Sequence, residues 1–283
     1  MTIWRFDAIG TGWEIEGELA DGDRRTVTQL IDGFDQAWSR FRSDSAVTQM
    51  ARIGGGFASA DAAPMLDAYR ELSAATAGAV NPLVGASLEA LGYDAAYSLT
   101  AAAAIAAPAE WSSIVAWTEH GVTASAPALL DIGALGKGRL VDLVFDLLSG
   151  VAGDLVVDAG GDMRVRGTSV RTALEHPFDA TKAIGVVALQ DAALCGSAIN
   201  RRAWGNGLHH VLDARTGQPV RTWAATWALG AETMTADAAA TALFFDGGPA
   251  LAADWGVEWV RMSTDGRIER SPQWPGELFL ARP

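Results

Sequence analysis

Asp131-Ile132-Gly133-Ala134-Leu135-Gly136-Lys137-Gly138-Arg139-Leu140-Val141-Asp142 brings two acids, three glycines and a lysine into twelve residues, directly after the apolar pair Leu129-Leu130. Glycine has no Cβ and tolerates positive φ, so this backbone can come close to a ligand. Residues 140–148 carry the apolar spacing of an amphipathic helix, which sets Lys137 and Gly138 near its start. Unpaired N–H groups and the helix dipole favour an anion there, and a phosphate ester is the natural guest. Taken alone, the stretch fits equally well a glycine-rich turn between strand and helix, with Lys137 in water. The rest of the chain decides between the two.

Upstream, residues 3–18 read as two strands around a tight turn at Gly10-Thr11-Gly12, and Asp21-Gly22-Asp23 reads as a further turn. Residues 26–38 have helical periodicity, Ser45 is placed to cap a short helix reaching about Ala51, and Gly54-Gly55-Gly56 breaks it. Residues 64–77 form the next expected helix, stopped at Gly78. A turn at Ala79-Val80-Asn81-Pro82 leads into a helix ending near Gly92, and the alanine-rich residues 100–108 read as a small helix or a loose connector. A hairpin over 114–118 and 122–124 then enters the opening stretch. Downstream come a strand, a Gly160-Gly161-Asp162 turn and a returning strand, then a strand over 184–189 and further strand-rich sequence. A helix begins at Ala236, and two or three closing strands run from Trp255 to Leu280, with turns at Asp265-Gly266 and Pro275-Gly276.

The 283 residues suffice for one domain over the whole length, or for two interlocked lobes. Hydrophobic residues at 49% and charged residues at 19% supply a core and argue against disorder. A net charge of −13 argues against a nucleic-acid partner, which is bound through clustered Lys and Arg. Cys195 is the sole cysteine, so an intrachain disulfide and a multi-thiolate metal site are both ruled out. The first residues lack a basic region followed by an apolar run, and no window has the length of uninterrupted apolar sequence that a membrane span needs. The expectation is a cytoplasmic protein without a membrane span.

Two further runs carry chemistry. Asp237 and Thr241 stand four apart on the expected helix, so their oxygens share one face, which suits a hard cation such as Mg²⁺. An aspartate near a helix start is also an ordinary N-terminal charge. His209-His210-Val211-Leu212-Asp213-Ala214-Arg215-Thr216-Gly217 puts two of the four histidines before a turn. One of them fits a general acid/base role, and the pair fits equally a strand with one buried and one exposed histidine. Cys195 reads as a buried structural thiol, with Ser197 and Arg201 the better candidates for contacts to an anion. Gly160-Gly161-Asp162 alone is a weak phosphate motif, since strand–Gly-Gly–strand is mostly a hairpin.

In order along the chain, these runs resemble the FAD:protein FMN transferase family, the ApbE-type flavin transferases. The resemblance is carried by Ile9-Gly10-Thr11, Phe41-Arg42-Ser43-Asp44-Ser45, Gly78 to Pro82, Asp131 to Asp142, the Gly-Gly-Asp turn, Ser197 to Arg201, His209 to Gly217 and Ala236 to Ala242. It implies that FAD is bound in a cleft with Mg²⁺ and that its FMN half passes to a Thr or Ser hydroxyl of an acceptor flavoprotein, releasing AMP. It also implies that the Ala134 carbonyl, the Asp237 carboxylate and the Thr241 hydroxyl hold the metal. Ile9, Phe41, Ala79, Val80, Asn81, Asp131, Lys137, Val211 and Ala240 would line the FAD site, with Lys137 and His210 in the catalytic roles. The sequence departs from the family pattern at Asn81, where Asp is usual, at Ala214, where Pro is usual, and at Gly196, where Thr is usual.

Family analogy and the strand count together imply an α+β fold, with antiparallel sheets flanked by helices and a ligand cleft between lobes in an ApbE-like, T-fold-like architecture. Two other activities share the same residues: an FAD pyrophosphatase giving FMN and AMP, and a flavin-binding protein without catalysis.

Overall fold

Eight strands form one sheet in the computed structural model, which describes residues 2–279. Their order is Thr2–Ala8, Thr11–Gly17, Leu155–Ala159, Asp162–Arg166, Ala193–Ala198, Trp223–Gly230, Glu258–Ser263 and Ile268–Arg270. Every neighbouring pair is antiparallel. Side chains alternate across such a sheet, and the two faces bury different partners. Trp13, Ile15, Leu155 and Val157 point into a core shared with helices, including Val27, Ile31, Phe34 and Trp38 from Asp21–Trp38 and Leu140, Val141 and Val144 from Gly136–Leu147. Val156, Val165, Leu194 and Ala225 point the other way, onto Leu174, Ile184, Val187 and Leu189 of a three-stranded sheet in the order Glu277–Leu278, Ala183–Leu189, Val170–Glu175. A second three-stranded sheet, Gly55–Ala58, Gly121–Ala124 and Val115–Thr118, packs beside the helix Ala62–Ala75.

The architecture is the expected α+β class, and several boundaries differ for local reasons. The first hairpin turns on two residues, Ile9 (φ 47°) and Gly10 (φ 73°), so Thr11 and Gly12 already belong to the second strand. Positive φ at both centre positions matches the twist of the strands, which a two-residue turn with negative φ would splay. Asp21 and Asp23 do not form a turn but open the helix Asp21–Trp38, where the Asp23 carboxylate accepts the Ala20 N–H at 2.8 Å. Acids in a first turn satisfy free N–H groups and the dipole. Ser45 caps Ala46–Ile53 as expected, accepting the Thr48 N–H at 3.2 Å, and Gly54 ends that helix. Gly55 does more than break the helix, because it starts a strand.

The alanine-rich connector forms no helix. Residues 100–108 carry no regular secondary structure and are held by Ala102 N–H to Ala90 O at 2.7 Å and Ala107 N–H to Ala214 O at 2.8 Å. Tertiary hydrogen bonds here outweigh the local helix preference of alanine. The strand Val170–Glu175 and the helix Gly248–Asp254 had no counterpart among the sequence expectations. Leu280, the expected end of the closing strands, lies outside the described residues. Among the described residues no helix is long and apolar enough to cross a membrane.

Candidate functional site

Two helices meet behind the sheet, and their contact explains the spacing in the opening stretch. Gly136–Leu147 begins earlier than its apolar pattern indicated, so Lys137 and Gly138 lie in its first turn. It packs on Thr233–Ala242, which is buried on several faces because its side chains are small. A Cβ on Gly138 would stand 2.4 Å from Thr233 O and 2.7 Å from the Asp237 Cβ, so only glycine permits this approach. Asp142, the last residue of the stretch, accepts the Thr233 and Met234 N–H groups at 2.9 and 2.8 Å and pairs with Arg164 at 2.6 Å. It thereby caps the second helix from the first.

These contacts bring remote segments to one cleft of about 720 Å³, within the range of cofactor and small-molecule sites. Thr241 donates its hydroxyl to the Ala134 carbonyl at 3.2 Å, joining positions 107 residues apart. One turn earlier, Asp237 Oδ2 accepts the Gly138 N–H at 2.9 Å. The peptides of the loop before the first helix are fixed by Tyr69, whose hydroxyl donates to Asp131 O at 2.9 Å and accepts the Ala134 N–H at 3.3 Å. Burial pushes the Tyr69 phenol well above its usual range, so it stays a hydroxyl.

Of the residues singled out from sequence, Ile9, Phe41, Ala79, Val80, Asn81, Asp131, Ala134, Lys137, His210, Val211, Asp237 and Thr241 all line this cleft, as do Ser197 and Arg201. Ala240 does not. It is fully buried against Cys195 and Ala228 of the sheet, and its carbonyl accepts the Thr226 hydroxyl at 2.7 Å. At about 100° per residue, Ala240 turns onto the sheet-facing side of the helix, while Asp237 and Thr241 look into the cleft. The side chain of Asn81 is committed within the chain, donating to Pro108 O at 2.9 Å and accepting the Leu83 N–H at 2.8 Å. An aspartate would meet the Pro108 carbonyl with a second acceptor, which accounts for the departure from the family pattern.

The electrostatics of the cleft are uneven. Burial, then the charge of Asp162, raises the Asp237 carboxyl well above the usual range, against the opposing pull of Lys137 and the Gly138 N–H. Burial alone would lower the Lys137 ammonium, but the Asp162 and Asp237 carboxylates reverse that and leave it raised. Lys137 is therefore charged at neutral pH. His210 is pushed down to about 3, by burial first and then by the charges of Arg202 and His209, so it stands as a neutral imidazole with its Nδ1 free of any partner. The alternation of one buried and one exposed histidine does not hold: His209 is buried with Nε2 on Val220 O at 2.9 Å, and His210 is half-buried.

Three residues of the site escaped the sequence reading. Arg40 is buried, pairs with Asp131 at 2.5 Å, donates to Tyr93 O at 2.7 Å and lies over the rings of Phe41 and Tyr93. Nothing local marks it, since its partner is 91 positions away. Tyr69 falls within the expected helix over 64–77, where nothing local marks it for the site. Asp162 was visible in the Gly-Gly-Asp turn, but a hairpin accounts for that motif equally well.

Among the described residues no three His, Cys, Asp or Glu side chains gather in a metal-binding cluster. The donors that share the cleft are a carbonyl, a hydroxyl and a carboxyl group, all hard oxygens. They fit a hard divalent cation and not a soft one.

The match of known proteins to this chain is extensive. A "FAD:protein FMN transferase" of Rhodobacter capsulatus is 33% identical over 236 residues, covering 76% of this chain and 45% of that protein. The chain thus spans less than half the length of this curated relative. Solved structures share the fold at 20% identity: the ApbE protein of Thermotoga maritima (TM-score 0.81, 96% of this chain and 97% of that one) and the flavin transferase ApbE of Vibrio cholerae (TM-score 0.76, 96% and 97%). The sequence profile of the ApbE family matches residues 9–260, nearly the whole cleft-forming part of the chain, and the protein belongs to the ApbE family.

Proposed function

We propose that this protein is a Mg²⁺-dependent FAD:protein FMN transferase, moving FMN from FAD onto a Thr or Ser hydroxyl of an acceptor flavoprotein and releasing AMP. The observation that carries the reading is the meeting of Ala134 O, Thr241 Oγ1 and the Asp237 carboxylate beside Lys137 in one cleft. The name of the Rhodobacter capsulatus relative supports it.

On this reading Ala134, Asp237 and Thr241 would hold the cation, which supplies charge stabilisation at the diphosphate when bound. Lys137 presents a fixed positive charge to the same phosphates and to the charge that grows as a P–O bond breaks. Ile9, Phe41, Ala79, Val80, Asn81, Asp131 and Val211 would form the walls around FAD. His210, which lines the cleft, would receive the proton of the incoming hydroxyl. Its low basicity comes first from burial and then from the neighbouring Arg202 and His209, and a diphosphate beside it would raise it.

The test is incubation of the protein with FAD and MgCl₂, with and without a flavoprotein acceptor carrying a target threonine. AMP release together with covalent flavin on the acceptor is expected. AMP release at full rate without acceptor would make the protein an FAD pyrophosphatase, and tight FAD binding with no AMP in either tube would leave a flavin-binding protein.

A further inference from the structure

Asp162 is fully buried and sits at the start of its strand, immediately after the Gly160 (φ 60°) and Gly161 (φ 102°) turn. Its carboxylate forms an ion pair with the Lys137 ammonium. The Asp237 carboxyl also lies within side-chain hydrogen-bonding reach of it. A buried carboxylate needs a partner charge to offset its desolvation, and Lys137 supplies it here. The next residue along, Gly138, holds Asp237 through its N–H, so Lys137 stands between two buried carboxylates with one ammonium to share.

We propose that Asp162 is a positioning residue, clamping Lys137 so that its ammonium does not occupy Asp237 and that carboxylate remains free to bind the divalent cation. The proposal rests on the metal reading given above. Without Asp162 the Asp237 carboxylate is left acting on Lys137, and the lysine becomes an internal competitor of the cation. The Gly-Gly-Asp turn thereby has a purpose beyond chain reversal: its two positive-φ glycines set an acid at the strand start, under the lysine.

The experiment is isothermal titration with MgCl₂ on four proteins: wild type, Asp162→Asn, Lys137→Gln and the double variant, each checked by thermal melting. Asp162→Asn is expected to weaken Mg²⁺ binding by about tenfold or more. In the Lys137→Gln background the same change should alter binding less than about threefold, because no lysine is left to move. An equal loss in both backgrounds overturns the clamp, since Asp162 would then act on the cation directly through space. Unchanged binding in Asp162→Asn overturns it as well. Should that variant not fold alone, the comparison of Lys137→Gln with the double variant still decides, a tenfold loss there counting against the clamp. If wild type binds no Mg²⁺, the metal reading falls and the clamp with it. Binding by wild type with no effect of Asp162 removes the clamp alone.

Discussion

Asp237 carries two tasks that a single substitution separates. Its carboxylate accepts the Gly138 N–H, a structural contact, and faces the cleft beside Thr241 and the Ala134 carbonyl. Truncation loses a hydrogen bond and also removes a carboxyl whose ionisation burial resists, so the two effects on stability oppose each other. Asp237→Ala should therefore melt within a few degrees of wild type while metal-dependent AMP release falls on the order of a hundredfold or more. Full retained turnover would exclude Asp237 from the site. His210 offers a pH test. Its folded value near 3 lies below the ordinary 6.5, so between these limits the unfolded chain takes up a proton that the folded chain refuses. Stability must then fall as pH drops through that window. In urea titrations at pH 6.5 and about pH 4, His210→Gln should lose less of its midpoint than wild type does, and parallel losses would contradict the burial of a neutral imidazole.

Glycine placement governs the approach of the two site helices. Gly138 stands against Thr233 O and the Asp237 Cβ at distances that no side chain tolerates, with backbone on one side and so little freedom to yield. Gly138→Ala should cost about 1–3 kcal/mol in urea-determined stability. Because the added methyl separates Gly138 N–H from Asp237 and displaces Thr241 from Ala134, FAD binding followed by tryptophan quenching should weaken as well. An alanine variant with wild-type binding would mean that the helix contact does not shape the cleft. Asp142 works at the same scale, holding the start of the second helix from the body of the first. The alanine-rich helix Thr233–Ala242 shows the converse economy: small residues allow close contact on its sheet side, and of its four polar residues Asp237 and Thr241 reach the cleft.

Across the whole molecule, the cleft depends on the large sheet and the helix layer holding together, so a ligand that bridges both should stabilise the entire fold. FAD at a hundred times its dissociation constant contributes about 2.7 kcal/mol. For a chain of this size that corresponds to a rise in Tm of roughly 4–5 °C. FAD and MgCl₂ together should raise Tm by more than the sum of their separate effects, if cation and diphosphate share a site, and strictly additive shifts in differential scanning would count against a shared site. The amino-acid order alone was enough to indicate the α+β class, most helices and hairpins, and the run of residues that the cleft collects, because apolar period, turn chemistry and motif spacing are local properties of a chain. It could not place Ala240, which shares a motif with Asp237 but turns toward the sheet, nor reveal Arg40, whose carboxylate partner is remote in sequence. Nor did it separate Asp162 from an ordinary hairpin residue, since the ion pair with Lys137 exists only once the strand and the helix start are packed together. Those assignments depend on which side of a helix faces which layer and on charges buried side by side, and only tertiary packing decides either.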